Sequence, residues 1–508
     1  MEKLQTTKIN GYEIKIHTFF DSNNSSYGDY NGVTKKIEYL KYLKINTLFI
    51  NNILNYYQES DELNFIHDRY GSIFDFNKMV NTLKQNEINT GPVIDFLELK
   101  QSYNNWQRAQ SFYKETNNSN VYLKNTTLQK YIAYDASYKN QEKEATDLLE
   151  YLDKIAAFYI KLNCSVLVFD NFDRYFSFST SSAKNILYSK LHDFYMHIKQ
   201  TYPNVSIVLR SKTLTYSESQ KILKLLNKIC DYIFVNKFSE YGLNKKYKNL
   251  IIAKFDYTHF IKDIKRYMDD DRYILSLSSD YVGRICSRWG DELNFNYEAA
   301  KTFLLVIASA KNSYSIYYGD ELATLKVKIK NTNDFNEDNI NELKRLLQSK
   351  KINNNTFLNS MHYLNKLSNN ALMSWSNEKF AGFTKNPVTK FNVSEKYHVN
   401  NVETEKTIHN SSLVFWNLYM NLLNEKDLFD LFNANRVKIS KHLARKGIIK
   451  IVKYYGGEKV IYLLNLTKQP RAVKISKRAN ILFSTYSNKI YTKLPNTLNP
   501  FESVIYTL

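Results

Sequence analysis

Short apolar segments alternate with longer segments of helical periodicity eight times along the chain, and this alternation restricts the fold more than any other feature. In one such unit, residues 145–162 place Leu148, Leu152 and Ile155 on one stripe and lead into the apolar run 164–170. Continuous apolar runs of this length, bounded by polar residues, are typical of strands buried on both faces. Alternating strands and helices predict a parallel sheet, and eight units predict a closed (β/α)8 barrel of the TIM type.

The predicted barrel strands are, in chain order, 11–19, 46–50, 93–97, 164–170, 205–210, 232–235, 273–277 and 314–318. The first of them alternates as a strand does, with Tyr12 and Ile14 followed by Glu13 and Lys15 at the intervening positions. Thr34 is the predicted N-cap of the first helix. Further helices are predicted near 79–83 and at 145–162, 183–202, 217–229, 259–268, 297–310 and 413–423.

Two other regions predict additional domains. Residues 100–144 are polar and rich in aromatic side chains, and they predict a short excursion domain after the third strand. From about Val437 onward, short alternating segments such as 460–464 and 502–506 predict a small all-β sandwich. The predicted domains are therefore a barrel formed by 1–99 and 145–428, an excursion at 100–144 and a C-terminal β-sandwich at 429–508.

Composition excludes several classes of protein. The chain has 508 residues, of which 43% are hydrophobic, so it can form a sizeable core. Cys164, Cys230 and Cys286 are too few and too scattered for a disulfide framework or a zinc site. A polar N-terminus and the lack of any apolar run of about 18 residues predict a soluble, cytoplasmic protein with no membrane partner.

The formal net charge of +20 suggests nucleic-acid binding, but its distribution favours another interpretation. Lysine is enriched together with asparagine, isoleucine and tyrosine along the whole chain, and the basic run 441–446 lacks interleaved aromatic residues for base stacking. We therefore predict a solvated basic surface and no nucleic-acid partner.

Asp170 is the first candidate functional residue, because it ends the apolar run 164–170. Barrels of this type place their chemistry at the carboxyl ends of strands. A single aspartate in such a place more often caps the following loop or helix. The number of similar units around Asp170 favours the functional interpretation.

Several motifs resemble the alpha-amylase family, glycoside hydrolase family thirteen. They are Asp-Ser-Asn at 21–23 with Gly-Asp-Tyr-Asn-Gly at 28–32, Ser-Arg-Trp-Gly-Asp at 287–291, Ile-Tyr-Tyr-Gly-Asp-Glu at 316–321, Met373, Trp375, and Ala-Gly-Phe-Thr at 381–384. The branch that they resemble contains oligo-1,6-glucosidases, dextran glucosidases and trehalose-6-phosphate hydrolases. The resemblance extends in order over nearly the whole chain, and it implies the barrel, the excursion and the C-terminal β domain.

The resemblance also implies positions for a retaining mechanism, which needs an aspartate nucleophile and a glutamate acid/base about 5–5.5 Å apart. Asp170 falls on the nucleophile position, whereas Arg210 stands where the acid/base is expected and cannot exchange that proton. Val168 replaces an arginine that supports the nucleophile in the family. Asp280 matches the transition-state stabiliser only if one residue is inserted.

The implied substrate-binding positions are altered as well. Asp95 is kept, but Lys100 replaces a histidine of the family, and Ser279 stands at or beside a second histidine position. Arg284 matches the arginine that follows the stabiliser, while Asn370 stands where an arginine is expected. A Tyr-Asp pair is absent because the segment 59–70 is shortened.

These substitutions lead to three hypotheses. The first is a non-catalytic α-glucosidase-like protein with a sugar-binding, regulatory or assembly role and an unspecified protein partner. The second is an active retaining α-glucosidase or phospho-α-glucosidase, acting on isomaltose, maltose or trehalose 6-phosphate, with Asp170 as nucleophile and Glu240 or Glu218 as a relocated acid. Glu240 follows the sixth strand closely, whereas Glu218 is predicted to start a helix. Under this second hypothesis Lys100 and Arg210 would suit a phosphosugar, although salt bridges to Asp95 and Asp170 explain them equally well. The third, nucleic-acid binding, depends on charge alone.

The loop at Asp21 resembles a calcium site. In the family, oxygens at the positions of Asp21, Asn23, the Tyr27 carbonyl and Asp29 hold the ion, and a further aspartate is here Ser25. Calcium prefers six to eight oxygen ligands. We therefore predict a weak calcium site and no required cofactor, with an ordinary polar turn as the alternative.

Overall fold

The computed structural model describes residues 8–51, 53, 66–95, 121–125, 130–134, 141–172, 181–224, 228–247, 250–280, 282–329, 337–434, 436–486 and 496–508. Their strands are β1 Asn10–Lys15, β2 Thr47–Asn51, β3 Asn89–Asp95, β4 Val121–Asn125, β5 Lys130–Tyr134, β6 Val166–Asp170, β7 Ser206–Ser211, β8 Tyr232–Val235, β9 Tyr273–Leu275, β10 Ser313–Tyr317, β11 Arg436–Ser440, β12 Ile448–Tyr455, β13 Glu458–Asn465, β14 Arg471–Ala472, β15 Asn480–Ser484, β16 Thr497–Leu498 and β17 Ser503–Thr507.

The α-helices of the same residues are α1 Ile16–Phe19, α2 Tyr30–Lys35, α3 Ile37–Tyr42, α4 Ile73–Gln85, α5 Gln141–Lys161, α6 Ser181–Thr201, α7 Tyr216–Ile222, α8 Tyr257–Ile264, α9 Ile285–Arg288, α10 Asn296–Ala308, α11 Glu337–Gln348, α12 Asn354–Tyr363, α13 Val402–Thr407, α14 Ser412–Leu422 and α15 Phe429–Phe432.

Eight parallel strands form a closed barrel in the order β1-β10-β9-β8-β7-β6-β3-β2. This confirms the predicted fold class. All five residues of β6 are buried, as expected for a strand covered on both faces. The register pairs Val93 with Val168 and Asp95 with Asp170, so two predicted site residues end neighbouring strands at the same level.

The first strand is shorter than predicted. β1 ends at Lys15, and Ile16–Phe19 forms a helical turn instead of continuing the strand. Glu13 and Lys15 are only 1% and 6% exposed, although they occupy the polar positions of the sequence alternation. In a barrel strand both faces are covered, so alternation of residue type does not imply that one face meets solvent.

The predicted N-cap at Thr34 is wrong. Thr34 lies inside α2, where its hydroxyl donates to the carbonyl of Tyr30 at 3.2 Å, and α3 begins after Lys36. A threonine can donate to the carbonyl four residues earlier instead of capping a new helix. By contrast, α4 begins with a capping box between Ser72 and Asp75 and buries Met79 and Leu83 at helical spacing, so the predicted helix near 79–83 is confirmed.

The described residues divide into two compact units. One contains residues of 1–28, 35–45 and 236–508, and the other contains residues of 29–34 and 46–235. In the second unit the rings of Phe49 and Phe234 pack edge to face with centroids 5.5 Å apart. In the first unit Tyr314 and Trp416 make the same kind of contact at 5.6 Å. The predicted domain boundaries at 99, 145 and 428 stay a prediction.

Within the predicted excursion, the structure describes an antiparallel hairpin of β4 and β5 and the start of α5. The C-terminal region forms a five-stranded antiparallel sheet in the order β11-β12-β13-β17-β15, with β14 and β16 pairing separately. Its core consists of Ile448, Val452, Ile461, Leu463, Val473, Leu498, Val504 and Tyr506. The predicted all-β C-terminal region is therefore confirmed as an antiparallel sheet domain.

Across the described ranges, every helix is too short or too polar to cross a membrane.

Candidate active site

Asp170 is held at the carboxyl end of β6 by the residue that follows it. The backbone N–H of Asn171 donates to Asp170 Oδ1 at 2.8 Å, and the Asn171 side chain donates to Asp95 Oδ2 at 2.8 Å. Asn171 has a φ of 58°, a left-handed conformation that asparagine adopts more readily than most residues. Through its backbone N–H and its side-chain amide, Asn171 therefore joins the two retained carboxylates of β3 and β6.

Arg210, in β7, forms an ion pair with Asp170. Its Nη1 lies 3.5 Å from Asp170 Oδ2 and 3.4 Å from Asn51 Oδ1, and its guanidinium carbon lies 4.7 Å from the centre of the Phe234 ring. Arg210 is 1% exposed and Asp170 is 5% exposed. Such a buried pair is costly to break, because removing one partner leaves the other charge uncompensated. The salt bridge considered for Arg210 in the sequence analysis is therefore present.

Val168 lies two residues before Asp170 in β6 and pairs with Val208 of β7. It is fully buried and cannot support a carboxylate electrostatically. The cation beside Asp170 comes from β7 rather than from β6. Lys100, the other predicted cation of this region, lies outside the described residues.

In the other compact unit, Asp280 also lies beside a cation. Lys15 of β1 places Nζ 3.7 Å from Asp280 Oδ2 and donates a hydrogen bond to Asn370 Oδ1. The carbonyl of Ser279 accepts a hydrogen bond from the Asn369 side chain. Lys15 therefore connects Asp280 with Asn370, and the predicted roles of Asp280 and Ser279 stay predictions.

Sequence reasoning did not predict roles for Lys15 and Asn51. Both stand at the carboxyl end of a barrel strand, Lys15 in β1 and Asn51 in β2. The rule that singled out Asp170 could have found them, had it been applied to every strand and not only to the family's catalytic positions.

Arg284 is buried among main-chain partners. Its Nε donates to the carbonyl of Ser368 at 3.0 Å, and its Nη1 donates to the carbonyl of Tyr318 at 2.6 Å and lies 3.6 Å from Asp320 Oδ1. Burial raises the pKa of Asp320 to about 6, although Arg284 and the hydroxyl of Ser278 favour the ionised form. These contacts give Arg284 a role in joining chain segments, and its predicted role in substrate binding stays a prediction.

The other motif residues make structural contacts. Burial raises the pKa of Glu321 to about 7, and its carboxylate accepts hydrogen bonds from the hydroxyls of Tyr12 at 2.7 Å and Tyr39 at 2.5 Å. The indole of Trp375 donates to the carbonyl of Phe19 at 2.7 Å. Gly382 has a φ of +67°, and a Cβ there would lie 2.3 Å from the hydroxyl of Ser376, so only glycine fits. These motif residues therefore preserve the scaffold.

The two glutamates considered as replacement acids have other partners. Glu218 accepts hydrogen bonds from the N–H and hydroxyl of Thr215 at 2.9 and 2.7 Å, in the capping box of α7. This confirms that Glu218 starts a helix. Glu240 lies in a short turn after β8, near Arg288. Burial lowers the pKa of Arg288 to about 9, although the charges of Asp320 and Glu240 act in the opposite direction.

The predicted calcium loop is a hydrogen-bonded turn. Asp21 accepts hydrogen bonds from the backbone of Asn23 and Ser25, and Tyr27 offers its carbonyl to the hydroxyl of Ser25 at 3.2 Å. Asp29, in the other unit, accepts from the N–H of Gly32 at 2.7 Å. Among the described residues there is no group of three or more His, Cys, Asp or Glu side chains that could hold a metal ion.

Comparisons with known proteins agree with this scaffold. The trehalose-6-phosphate hydrolase of Bacillus subtilis (strain 168) is 20% identical over 98% of this chain and 97% of its own length. The oligo-1,6-glucosidase of Heyndrickxia coagulans is 21% identical over 84% of this chain and 86% of its own length. Alpha-amylase 3 of Dictyoglomus thermophilum and an oligo-1,6-glucosidase of Bacillus cereus are matched over 42% and 40% of their own lengths, at 27% and 22% identity. The crystal structure of Bacillus licheniformis trehalose-6-phosphate hydrolase superposes with a TM-score of 0.78 at 16% identity, over 98% of this chain and 99% of that one.

The pattern that defines the family "Alpha amylase, catalytic domain" matches residues 14–168 and 208–430, which is more than half of the chain. Together with the closed barrel, the C-terminal sheet and the motifs at 316–321 and 381–384, this match settles the family. The chain belongs to the alpha-amylase family.

Proposed function

We propose that this protein is a non-catalytic member of the alpha-amylase family, with a sugar-binding, regulatory or assembly role in carbohydrate metabolism. The observation that carries the proposal is the buried contact between Arg210 Nη1 and Asp170 Oδ2 at 3.5 Å. The family resemblance implies a proton donor at the position of Arg210, which is a permanent cation. Arg210 pairs with Asp170, the carboxylate that the resemblance implies as nucleophile.

The chemistry of Arg210 supports the proposal. A retaining glycosidase needs an acid that protonates the leaving oxygen and then accepts a proton from water. Arginine stays protonated in proteins, so it can do neither. Loss of general acid–base catalysis alone typically lowers a rate by about 10²–10⁴-fold.

The electrostatics of the second carboxylate support it as well. Asp280 is the candidate for the stabilising carboxylate, and Lys15 lies 3.7 Å from it while also donating to Asn370. Asp280 would have to stabilise the positive charge that develops on the sugar, but the positive charge of Lys15 already offsets its negative charge. Preorganised charge is usually the largest contribution to catalysis. The weakened stabilisation by Asp280 therefore adds to the effect of the missing acid.

An active α-glucosidase or phospho-α-glucosidase is the second candidate. The similarity to a trehalose-6-phosphate hydrolase over nearly the whole chain favours it, and so does the retention of Asp170. Glu240 would then supply the proton, because Glu218 is used as a helix cap.

The test is hydrolysis of maltose, isomaltose and trehalose 6-phosphate by the full chain, with Asp170→Asn as the control. We expect turnover no greater than that of the control. Turnover that disappears in Asp170→Asn would refute the proposal, and loss of that turnover in Glu240→Gln would identify the relocated acid. Calorimetric titration with the same three sugars then measures whether the chain binds them without cleaving them.

A further inference from the structure

The loop formed by residues 21–28 does not fit a calcium ion, although the family resemblance implies one. Asp21 Oδ1 accepts hydrogen bonds from the backbone N–H groups of Asn23 at 3.2 Å and Ser25 at 3.1 Å. Asp21 Oδ2 accepts from the N–H of Ser26 at 2.8 Å and from the hydroxyl of Thr384 at 2.6 Å. An ionised carboxylate offers about four lone-pair positions, and these four donors use them all.

The other implied ligand oxygens also face donors. Asn23 Oδ1 accepts from the N–H of Ser25 at 3.0 Å. Ser25, which replaces an aspartate of the family, donates its hydroxyl to the Tyr27 carbonyl at 3.2 Å. A serine at this position removes one charged ligand and supplies a donor instead. A site that needs six to eight oxygen ligands would have to break these bonds before an ion could enter.

The same loop is tied to residues 383–388, which we call the strap. The N–H of Asp21 donates to the carbonyl of Phe383 at 3.1 Å, in addition to the bond from Thr384 to the Asp21 carboxylate. The hydroxyl of Ser26 donates to the carbonyl of Val388 at 2.6 Å. The side chain of Asn386 donates to the carbonyl of Asn24 at 2.8 Å. Four hydrogen bonds thus join the loop to the strap.

Asp21 is placed to act as the centre of this connection. Its side chain is 3% exposed, so the hydrogen bonds to its charge are shielded from solvent. Asn24 and Ser26 adopt left-handed φ values of 62° and 71°, a backbone shape that turns successive N–H groups toward the carboxylate. Hydrogen bonds to a charged acceptor are roughly twice as strong as those between neutral groups.

We propose that Asp21 takes the place of the ion: the loop 21–28 is fastened to the strap by hydrogen bonds to the Asp21 carboxylate and is independent of calcium. The inference does not depend on the proposed function, because it concerns a loop whose hydrogen bonds involve none of the catalytic positions. Calcium should therefore have no effect on the stability of this family member.

Thermal unfolding of the full chain in about 1 mM CaCl₂ and in chelator tests the proposal, since this concentration saturates all but the weakest protein calcium sites. We expect the same Tm in both solutions. Asp21→Asn should lower the Tm equally in both, because its amide nitrogen cannot accept two of the four hydrogen bonds. A Tm that rises with calcium in the natural protein, and no longer rises in Asp21→Asn, would overturn the proposal.

Thr384→Val supplies the second, milder variant. It removes the hydroxyl that donates to the Asp21 carboxylate and accepts from the N–H of Asn386 within the strap, so the proposal expects a lower Tm with and without calcium. A loop held by an ion would tolerate this change when calcium is present. Thr407→Val is the matched control, because the exposed Thr407 donates only within its own helix, and its Tm should stay that of the natural protein.

Discussion

Two buried arginine–aspartate pairs lie near the carboxyl ends of barrel strands, one in each compact unit, and they differ in what the arginine holds. Arg210 lies 3.5 Å from Asp170 and contacts the side chains of Asn51 and Phe234. Arg284 lies 3.6 Å from Asp320 but donates to main-chain carbonyls of two other segments. Chemically equivalent pairs therefore join chain segments in one place and connect side chains at neighbouring strand ends in the other.

The difference shows how residues at a strand end can change without loss of the barrel. Arg284 stands at a position that matches the family, and it donates to backbone carbonyls. Arg210 stands where the resemblance implies another residue, and its partners are the side chains of Asp170, Asn51 and Phe234. Substitution at a strand end leaves the backbone hydrogen bonds of the barrel intact, so the chemistry can change while the scaffold stays.

The largest effect is expected for Arg284→Met. It leaves Asp320 as an uncompensated buried charge and removes the donors of two buried carbonyls, so it should lower the free energy of unfolding by about 5 kcal/mol. Urea denaturation measures this change. Arg345→Met, at an exposed arginine on α11, is the control and should change the free energy by less than about 0.5 kcal/mol. A loss below about 2 kcal/mol for Arg284→Met would contradict its role in joining segments.

Arg210→Met should cost less, about 3 kcal/mol, because it breaks a buried ion pair without removing donors from main-chain carbonyls. Combining it with Asp170→Asn should restore part of the loss, since the uncompensated charge is removed with its partner. We expect a coupling free energy of about 1–3 kcal/mol in this double-mutant cycle. Additive effects of the two substitutions would show that Arg210 and Asp170 do not interact.

The pair of Arg284 and Asp320 should also make stability depend on pH. Because burial raises the folded-state pKa of Asp320 to about 6, the folded protein binds more protons than the unfolded chain between about pH 4 and pH 6. This contribution is therefore present below pH 4 and is lost as the pH rises to 6. In Asp320→Asn, the decrease in the free energy of unfolding between pH 4 and pH 6 should be smaller by about 3 kcal/mol. Urea denaturation across this pH range measures the difference. An unchanged slope would contradict the raised pKa.

The smallest effect is expected for Lys15→Met, which should lower the free energy of unfolding by about 1–2 kcal/mol. Asp280 is partly exposed, so water can solvate its carboxylate after Lys15 is removed. Lys41→Met is the matched control: its ion pair with Glu38 is shorter, at 3.0 Å, but both side chains are exposed. Thermal unfolding should show no measurable change for Lys41→Met. Equal effects of the two substitutions would mean that burial does not decide the strength of these pairs.

Much of the fold could be predicted from the sequence because its signals are local. The apolar run ending at Asp170 is a buried strand, and Glu218 caps a helix, since both follow from neighbouring residues. The residue type at Thr34 does not decide its role, because a threonine hydroxyl can bond backward into its own helix as well as cap a new one. The alternation in 11–15 predicts a strand, but the burial of Glu13 and Lys15 depends on what surrounds that strand.

The sequence alone determined the order of the strand–helix units, the family motifs and the residue types that stand at strand ends, including an arginine where an acid is expected. Only the tertiary structure decided which charges meet: Arg210 with Asp170, Lys15 with Asp280, and Asp21 with the strap at Thr384. The physical reason is the distance along the chain over which each feature is encoded. A strand or a cap is encoded within a few residues, whereas an ion pair between distant residues depends on strand register and on the direction in which each side chain leaves the closed barrel.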